Sequence, residues 1–193
     1  MKYDNLKKFK NSFSNYTELR VQENRNNRLN LTNGDVTGNV CTRNSGVSAR
    51  VFKDGNWGFS SSPEINNESI EQVVNASTSN VQFMNKKDSS KCGFFLPETQ
   101  ANYNMDLTTK KDRQSQKYWL DFVKEIDGYV EKKYPELLSR NLIMGGLDME
   151  KSLFTSDGSE SYSMTPRALL YAMLSIEKDG APFSLGNPWG GLG

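Results

Sequence analysis

The sequence predicts an α+β fold: a curved antiparallel or mixed sheet built from hairpins, with two amphipathic helices packed on one face. Three observations carry this expectation. The dipeptides Asn33-Gly34, Asp54-Gly55 and Asp179-Gly180 follow runs read as strands, and both central residues of a type I′ hairpin turn need positive φ. Two longer stretches, around Ile70–Val81 and Trp119–Val130, instead repeat apolar residues at helical spacing. Hydrophobic residues make up only 35 % of the chain, below the usual range of about 45–50 %, which also counts glycine. The core is therefore modest, and much of the chain is solvated strand face and loop.

Taken in order, Leu6, Phe9 and Phe13 share one side of a short basic segment, a marginal helix from Tyr3 to Phe13. The period then becomes two. Leu19 and Val21 oppose the polar residues of Glu18–Gln22, and Leu29 and Leu31 repeat the pattern ahead of Asn33-Gly34. Asp35 to Arg43 is the return strand. In the next hairpin Val47, Ala49 and Val51 alternate with Ser48, Arg50 and Phe52, Asp54-Gly55 turns the chain, and Trp57 and Phe59 point from the returning strand. Four strands joined by short turns form an antiparallel meander, which Ser60-Ser61-Ser62-Pro63 breaks. Trp57 and Phe59 are expected to anchor it against the first helix, so that Phe59→Ala, if buried, costs about 3–5 kcal/mol.

That helix is capped by Asn66 or Asn67, carries Glu68 in its first turn, and aligns Ile70, Val73, Val74, Ser77, Val81 and Met84. A polar loop covers Asn85–Asn104, with Cys92–Pro97 packing back on the body. A second helix runs from about Thr109 to Lys133 with a stripe of Trp119, Phe122, Val123, Ile126 and Val130, and Tyr134-Pro135 ends it. Strands follow at Asn141–Met144, Ser152–Thr155 and Ser159–Met164. The run Arg167–Ile176 suits helix by propensity and a hairpin arm by its flanks; we read strand, because its neighbours are strands and Asp179-Gly180 follows it. The domain extends over residues 1–185, and Gly186–Gly193 shows no packing pattern and reads as a Gly-rich tail.

Composition excludes several chemistries. Histidine is absent, so Ser/His and Cys/His nucleophile pairs, a histidine base and His-containing zinc sites are ruled out within this chain. Cys41 and Cys92 are too few for an all-cysteine zinc site and lack a CxxC motif, and they read as inert thiols. The 24 basic and 23 acidic residues leave a net charge of +1, which gives no electrostatic footprint for nucleic acid or an anionic membrane. The N-terminus has no signal-peptide pattern, and no apolar run suits a membrane helix, so a cytoplasmic protein is expected.

The remaining candidate features are weak. Gly190-Gly191-Leu192-Gly193 has no following helix to form a phosphate cradle. Asp148, Glu150, Asp157 and Glu160 could supply paired carboxylates, but no spacing singles out two of them. The pairs Lys86-Lys87 and Lys110-Lys111 lie among acids and read as solvated surface. Arg50, near Trp57 across its hairpin, reads either as a peptide or carboxylate contact or as an arginine stacked on an exposed aromatic. Ala181-Pro182-Phe183-Ser184-Leu185 and Pro188-Trp189 are apolar for a chain end, which points to self-association, a two-fold dimer being the commonest closed form.

Three segments taken together resemble a known family. Thr17-Glu18-Leu19-Arg20-Val21-Gln22-Glu23, Leu29-Asn30-Leu31-Thr32-Asn33-Gly34-Asp35, and Gly46 to Ser60 with Arg50-Val51, Asp54-Gly55 and Gly58-Phe59 are similar in order and spacing to the N-terminal domain of the TldD/PmbA family. These are the "modulator of DNA gyrase" proteins, regarded as metallopeptidases. The resemblance is most specific over residues 17–84 and looser to about 180; Thr155-Ser156-Asp157-Gly158 is similar to the family's N-S-x-G turn, with Thr155 as the departure. It implies a non-catalytic α+β domain that helps enclose peptide and contacts another subunit, as a homo- or heterodimer with a TldD/PmbA-like chain. Zinc and the HExxxH-type motif are expected only in the family's C-terminal domain, so no catalytic, metal-binding or cofactor-binding residue carries over to this chain. Residues 186–193 then read as a tail or the start of a linker to that domain. A free-standing module that pairs extended peptides on a sheet edge is the alternative.

Overall fold

The computed structural model describes residues 5–87, 96, 99–109 and 112–192. The fold is α+β. Its seven described strands are β1 (Tyr16–Thr32), β2 (Asp35–Lys53), β3 (Asn56–Ser62), β4 (Asn102–Asp106), β5 (Ser139–Thr155), β6 (Glu160–Lys178) and β7 (Ala181–Leu192). They pair in the order β3-β2-β1-β5-β6-β4, with β7 also on β6. The sheet is mixed, since β4 runs parallel to β6. Two α-helices, α1 (Asn67–Lys87) and α2 (Gln116–Lys133), and a 3-10 helix at Leu6–Ser12 complete the described structure.

The Asx-Gly hairpins form as expected. Asn33 and Gly34 have φ of 50° and 87°, Asp54 and Gly55 48° and 87°, and Asp179 and Gly180 54° and 77°. The expected four-strand meander, however, consists of three strands. Residues 18–22 and 29–31 belong to one continuous β1, and 35–43 and 47–52 to one β2. The segments expected at 141–144 and 152–155 likewise merge into β5, and those at 159–164 and 167–176 into β6. Polar residues interrupt the hydrophobic pattern without interrupting main-chain pairing.

The chain divides into two compact units. Unit 1 comprises Met1–Asn24, Asn44–Asp106 and Met149–Met164; unit 2 comprises Arg25–Arg43, Leu107–Asp148 and Thr165–Gly193. In unit 1, Leu19 and Val21 of β1, Val47 and Ala49 of β2, and Phe154 of β5 pack with Ile70, Val73 and Val74 of α1 and with Leu6 and Phe9 of the 3-10 helix. Asn66 caps α1, its Oδ1 accepting from Ser69 N at 2.8 Å. Ser77 Oγ lies 2.9 Å from Ala49 O and 2.8 Å from Val73 O, so this buried hydroxyl is satisfied.

Two expectations for this unit need correction. Met84 is exposed beyond the end of the buried stripe. Trp57 and Phe59 do not meet α1: they are 39 % and 59 % exposed. The residue that faces the helix is Gly58, where an added Cβ would lie 2.1 Å from Ser77 O and 2.5 Å from Val81 N. Alternation along β3 then turns Trp57 and Phe59 to the opposite side. A one-residue error in register moves every side chain to the other face.

In unit 2, Leu29, Leu31, Leu142 and Val123 form the core, with Leu120, Ile126, Met144 and Ala172 packed against it. Helix α2 starts at Gln116 and not near Thr109, because Ser115 caps it: Ser115 Oγ accepts from Tyr118 N at 3.2 Å. Of the expected stripe only Val123 is fully buried; Phe122 is exposed, and the other buried residue of the helix is Asp127, one turn beyond Val123. Arg140 donates to Asp127 through Nε at 3.0 Å and Nη2 at 3.2 Å, and to Glu131 at 2.9 Å. Arg140 N also donates to Asn33 Oδ1 at 2.8 Å. One arginine thereby ties α2 to β5 and to the first hairpin turn.

The run 167–176 is strand, within β6. Strand β4 forms where a loop was expected, and residues 186–192, expected as a tail, are the second half of β7. Strands β4 and β7 are exposed almost throughout, so main-chain pairing holds them and no alternating apolar pattern announces them. Gly190 has a local reason: a Cβ there would lie 2.5 Å from Ala168 O. Cys92, most of the Cys92–Pro97 run, Lys110-Lys111 and Gly193 lie outside the described residues.

Candidate functional site

A groove of about 590 Å³ opens in unit 2. One wall is the start of α2, where Tyr118 and Trp119 meet edge to face at 5.1 Å between centroids. The other walls come from Asn27 and Leu29 of β1, Met144–Gly146 of β5, and Pro166–Ala168 of β6. Gly146, on the same side of β5 as Met144 and Asp148, leaves the groove clear of a side chain: an added Cβ there would have nothing nearer than 3.4 Å. Asp148, nearly buried, accepts a hydrogen bond from Arg113 and has Arg25 Nε at 3.6 Å. Gln116 Nε2 donates to Asn39 Oδ1 at 2.6 Å and fixes the first turn of α2. The result is an apolar and aromatic channel with amide and guanidinium groups at its rim. This combination can hold a polypeptide backbone and one apolar side chain.

The other sequence candidates are dispersed. Glu150 accepts from Tyr162 Oη at 3.2 Å, Asp157 from Thr99 N at 3.4 Å, and Glu160 pairs with Lys7 at 3.6 Å. With Asp148 bound to Arg113, each of the four carboxylates has its own partner. Cys41 is exposed. Lys87 Nζ sits 5.1 Å from the centre of the Phe83 ring. Arg50 stacks on Trp57 at 4.7 Å, and also donates to Glu18 through Nε at 2.5 Å and Nη2 at 3.0 Å. That hydrogen bond is the main reason its guanidinium is held more firmly protonated than usual. Tyr16 donates to Glu18 at 3.1 Å, and burial, followed by the Glu18 charge, pushes its phenol up to about 12. Sequence reasoning singled out Arg50 but missed Glu18, which lies 32 residues away on the neighbouring strand.

No helix among the described residues is long and apolar enough to cross a membrane. Nor do the residues fit a zinc centre: the sequence has no histidine, and the described residues contain no group of three His, Cys, Asp or Glu side chains that could hold a metal.

The free edge of β7 is poorly suited to strand addition. Lys178 and Ala181 flank the two-residue turn and so form the first hydrogen-bonded pair of the hairpin. Odd-numbered residues of β7 then turn their main chain to β6 and even-numbered ones turn outward. Pro182 and Pro188 fall on outward positions, where they remove two of the donors a docking strand would use.

Residues 17–81 match the family described as "PmbA/TldA metallopeptidase domain 1". No curated protein matches the chain. Among solved structures, TldE from Thermococcus kodakarensis aligns with a TM-score of 0.76 and 11 % identity, over 98 % of this chain and 43 % of its own. A protein described as a candidate modulator of DNA gyrase from Bacteroides thetaiotaomicron aligns at 0.71 and 15 %, over 100 % and 46 %. A similarly described protein from Thermotoga maritima aligns at 0.66 and 21 %, over 92 % and 39 %. These likenesses establish the fold. The chain spans less than half the length of each.

Proposed function

We propose that the chain, whose residues 17–81 match the first domain of the PmbA/TldA family, is a non-catalytic domain which encloses peptide and contacts another subunit of a TldD/PmbA-like zinc metallopeptidase. The groove beside Trp119 carries this reading. Its lining suits polypeptide, and the described residues around it include no group of His, Cys, Asp or Glu side chains that could hold a metal. Zinc and the hydrolytic residues belong, on this reading, to a different part of the assembly, a homo- or heterodimer working in the cytoplasm. The apolar side chains Phe183, Leu185 and Trp189, exposed along β7, suit a subunit contact made by side-chain packing. The two outward prolines disfavour the alternative, in which an extended peptide adds to that edge.

The groove is tested with a disordered synthetic peptide titrated into the chain. Gly146→Val projects into the channel from the side of β5 that also bears Met144 and Asp148, where an added Cβ meets nothing nearer than Asn27 Nδ2 at 3.4 Å, and valine suits a strand. The substitution is expected to lower peptide affinity by roughly tenfold or more while the thermal midpoint holds or rises. Unchanged affinity in that folded variant would remove the groove from the account.

A further inference from the structure

We propose that the face of unit 1 bearing Arg20, Arg50, Trp57 and Phe59 docks an acidic polypeptide segment. This goes beyond the enclosing role above and uses none of the groove residues. Gly58 points to α1, so Trp57 and Phe59 point away from it, and they pair across strands with Phe52 and Arg50. Tyr16 meets Trp57 edge to face at 6.1 Å, and Glu18 binds Arg50, which puts both on this same face. Arg20 follows by the period of two.

The chemistry of the face is that of an interface anchor. Tryptophan, tyrosine and arginine dominate binding energy where they are preorganised and desolvated on contact. Arg50 is already fixed from two sides by Glu18 and Trp57, yet its side chain is 51 % exposed, so little rotamer entropy remains to be lost on binding. Phe59, 59 % exposed, offers the adjoining apolar surface. Charge selects the partner. The Glu18 carboxylate is engaged by Arg50 and Tyr16, whereas exposed Arg20 has no carboxylate partner among the described residues. The face therefore presents surplus guanidinium charge beside an aromatic surface, which complements Asp or Glu next to an apolar side chain. The overall charge of +1 favours a short acidic segment over a nucleic-acid backbone.

The probe is a glutamate peptide with one central phenylalanine, compared with its lysine counterpart and with a single-stranded oligothymidylate, by calorimetry at low salt. The glutamate peptide should bind, and raised salt should weaken it. Arg20→Ala and Phe59→Ala, both at exposed positions, should each lower affinity roughly fivefold or more with unaltered thermal midpoints. Arg50→Lys should also lose affinity, because lysine cannot reproduce the planar fork. Equal binding of the lysine peptide, tighter binding of the oligothymidylate, absence of glutamate-peptide binding, or full affinity in both Arg20→Ala and Phe59→Ala would overturn the proposal. Gly146→Val should bind this probe normally, which separates failure here from failure of the groove.

Discussion

Gly58→Ala is expected to destabilise unit 1 by about 3 kcal/mol or more, at the upper end for overpacking. The added methyl would meet main-chain atoms of α1, Ser77 O and Val81 N, and a helix backbone cannot rotate out of the way as a side chain can. To make room α1 must lift from β3. That strains the Asn80 Nδ2 bond to Phe59 O, 2.8 Å, and loosens the packing of Val73, Val74 and Val81. Urea unfolding monitored by circular dichroism measures the change. A loss below about 1 kcal/mol would mean that α1 shifts freely and that the close approach contributes little.

The second large effect is expected at Asp127. Its carboxylate is 4 % exposed and faces Arg140, itself 9 % exposed. Removing one partner leaves the other charge buried, with only the exposed Glu131 to compensate it. Asp127→Ala should therefore cost about 3 kcal/mol, near the lower end for a broken buried pair. Asp127→Asn keeps the shape and one acceptor and should cost less. An Asp127→Ala variant within about 0.5 kcal/mol of the parent would show that water reaches Arg140 and that the clamp between α2 and β5 contributes little.

These two residues also show how far the sequence could be read. Turns and helix caps are encoded locally, so Asn33-Gly34, Asp54-Gly55 and Asp179-Gly180 announced their hairpins, and Asn66 its helix. Gly58 was overlooked between two aromatics that drew the hydrophobic face to themselves. A glycine inside a strand signals close backbone approach, and that signal was present. Asp127 had no signal in the sequence, because its partner stands 13 residues away on another element. The length of β1 was concealed by Asn24–Arg28, although Leu19, Val21, Leu29 and Leu31 keep one odd-numbered parity throughout. Strands β4 and β7 gave no pattern at all, since their side chains are almost wholly exposed and only the main chain pairs. The groove was illegible for a related reason: it assembles Trp119, Gly145, Asp148 and Ala168 from separate elements, and no local spacing links them.

On the proposed reading, this domain holds peptide without cleaving it. The absence of histidine leaves a hydrolytic zinc centre with no imidazole ligand, and Asp148, Glu150, Asp157 and Glu160 are each bound to a separate partner. Zinc content and peptide hydrolysis, measured on the same purified chain after dialysis against excess zinc and then buffer, test this most directly. Far less than one zinc per chain is expected, with a peptide whose mass is unchanged after prolonged incubation. About one tightly held zinc per chain, together with cleavage that a chelator abolishes, would contradict it.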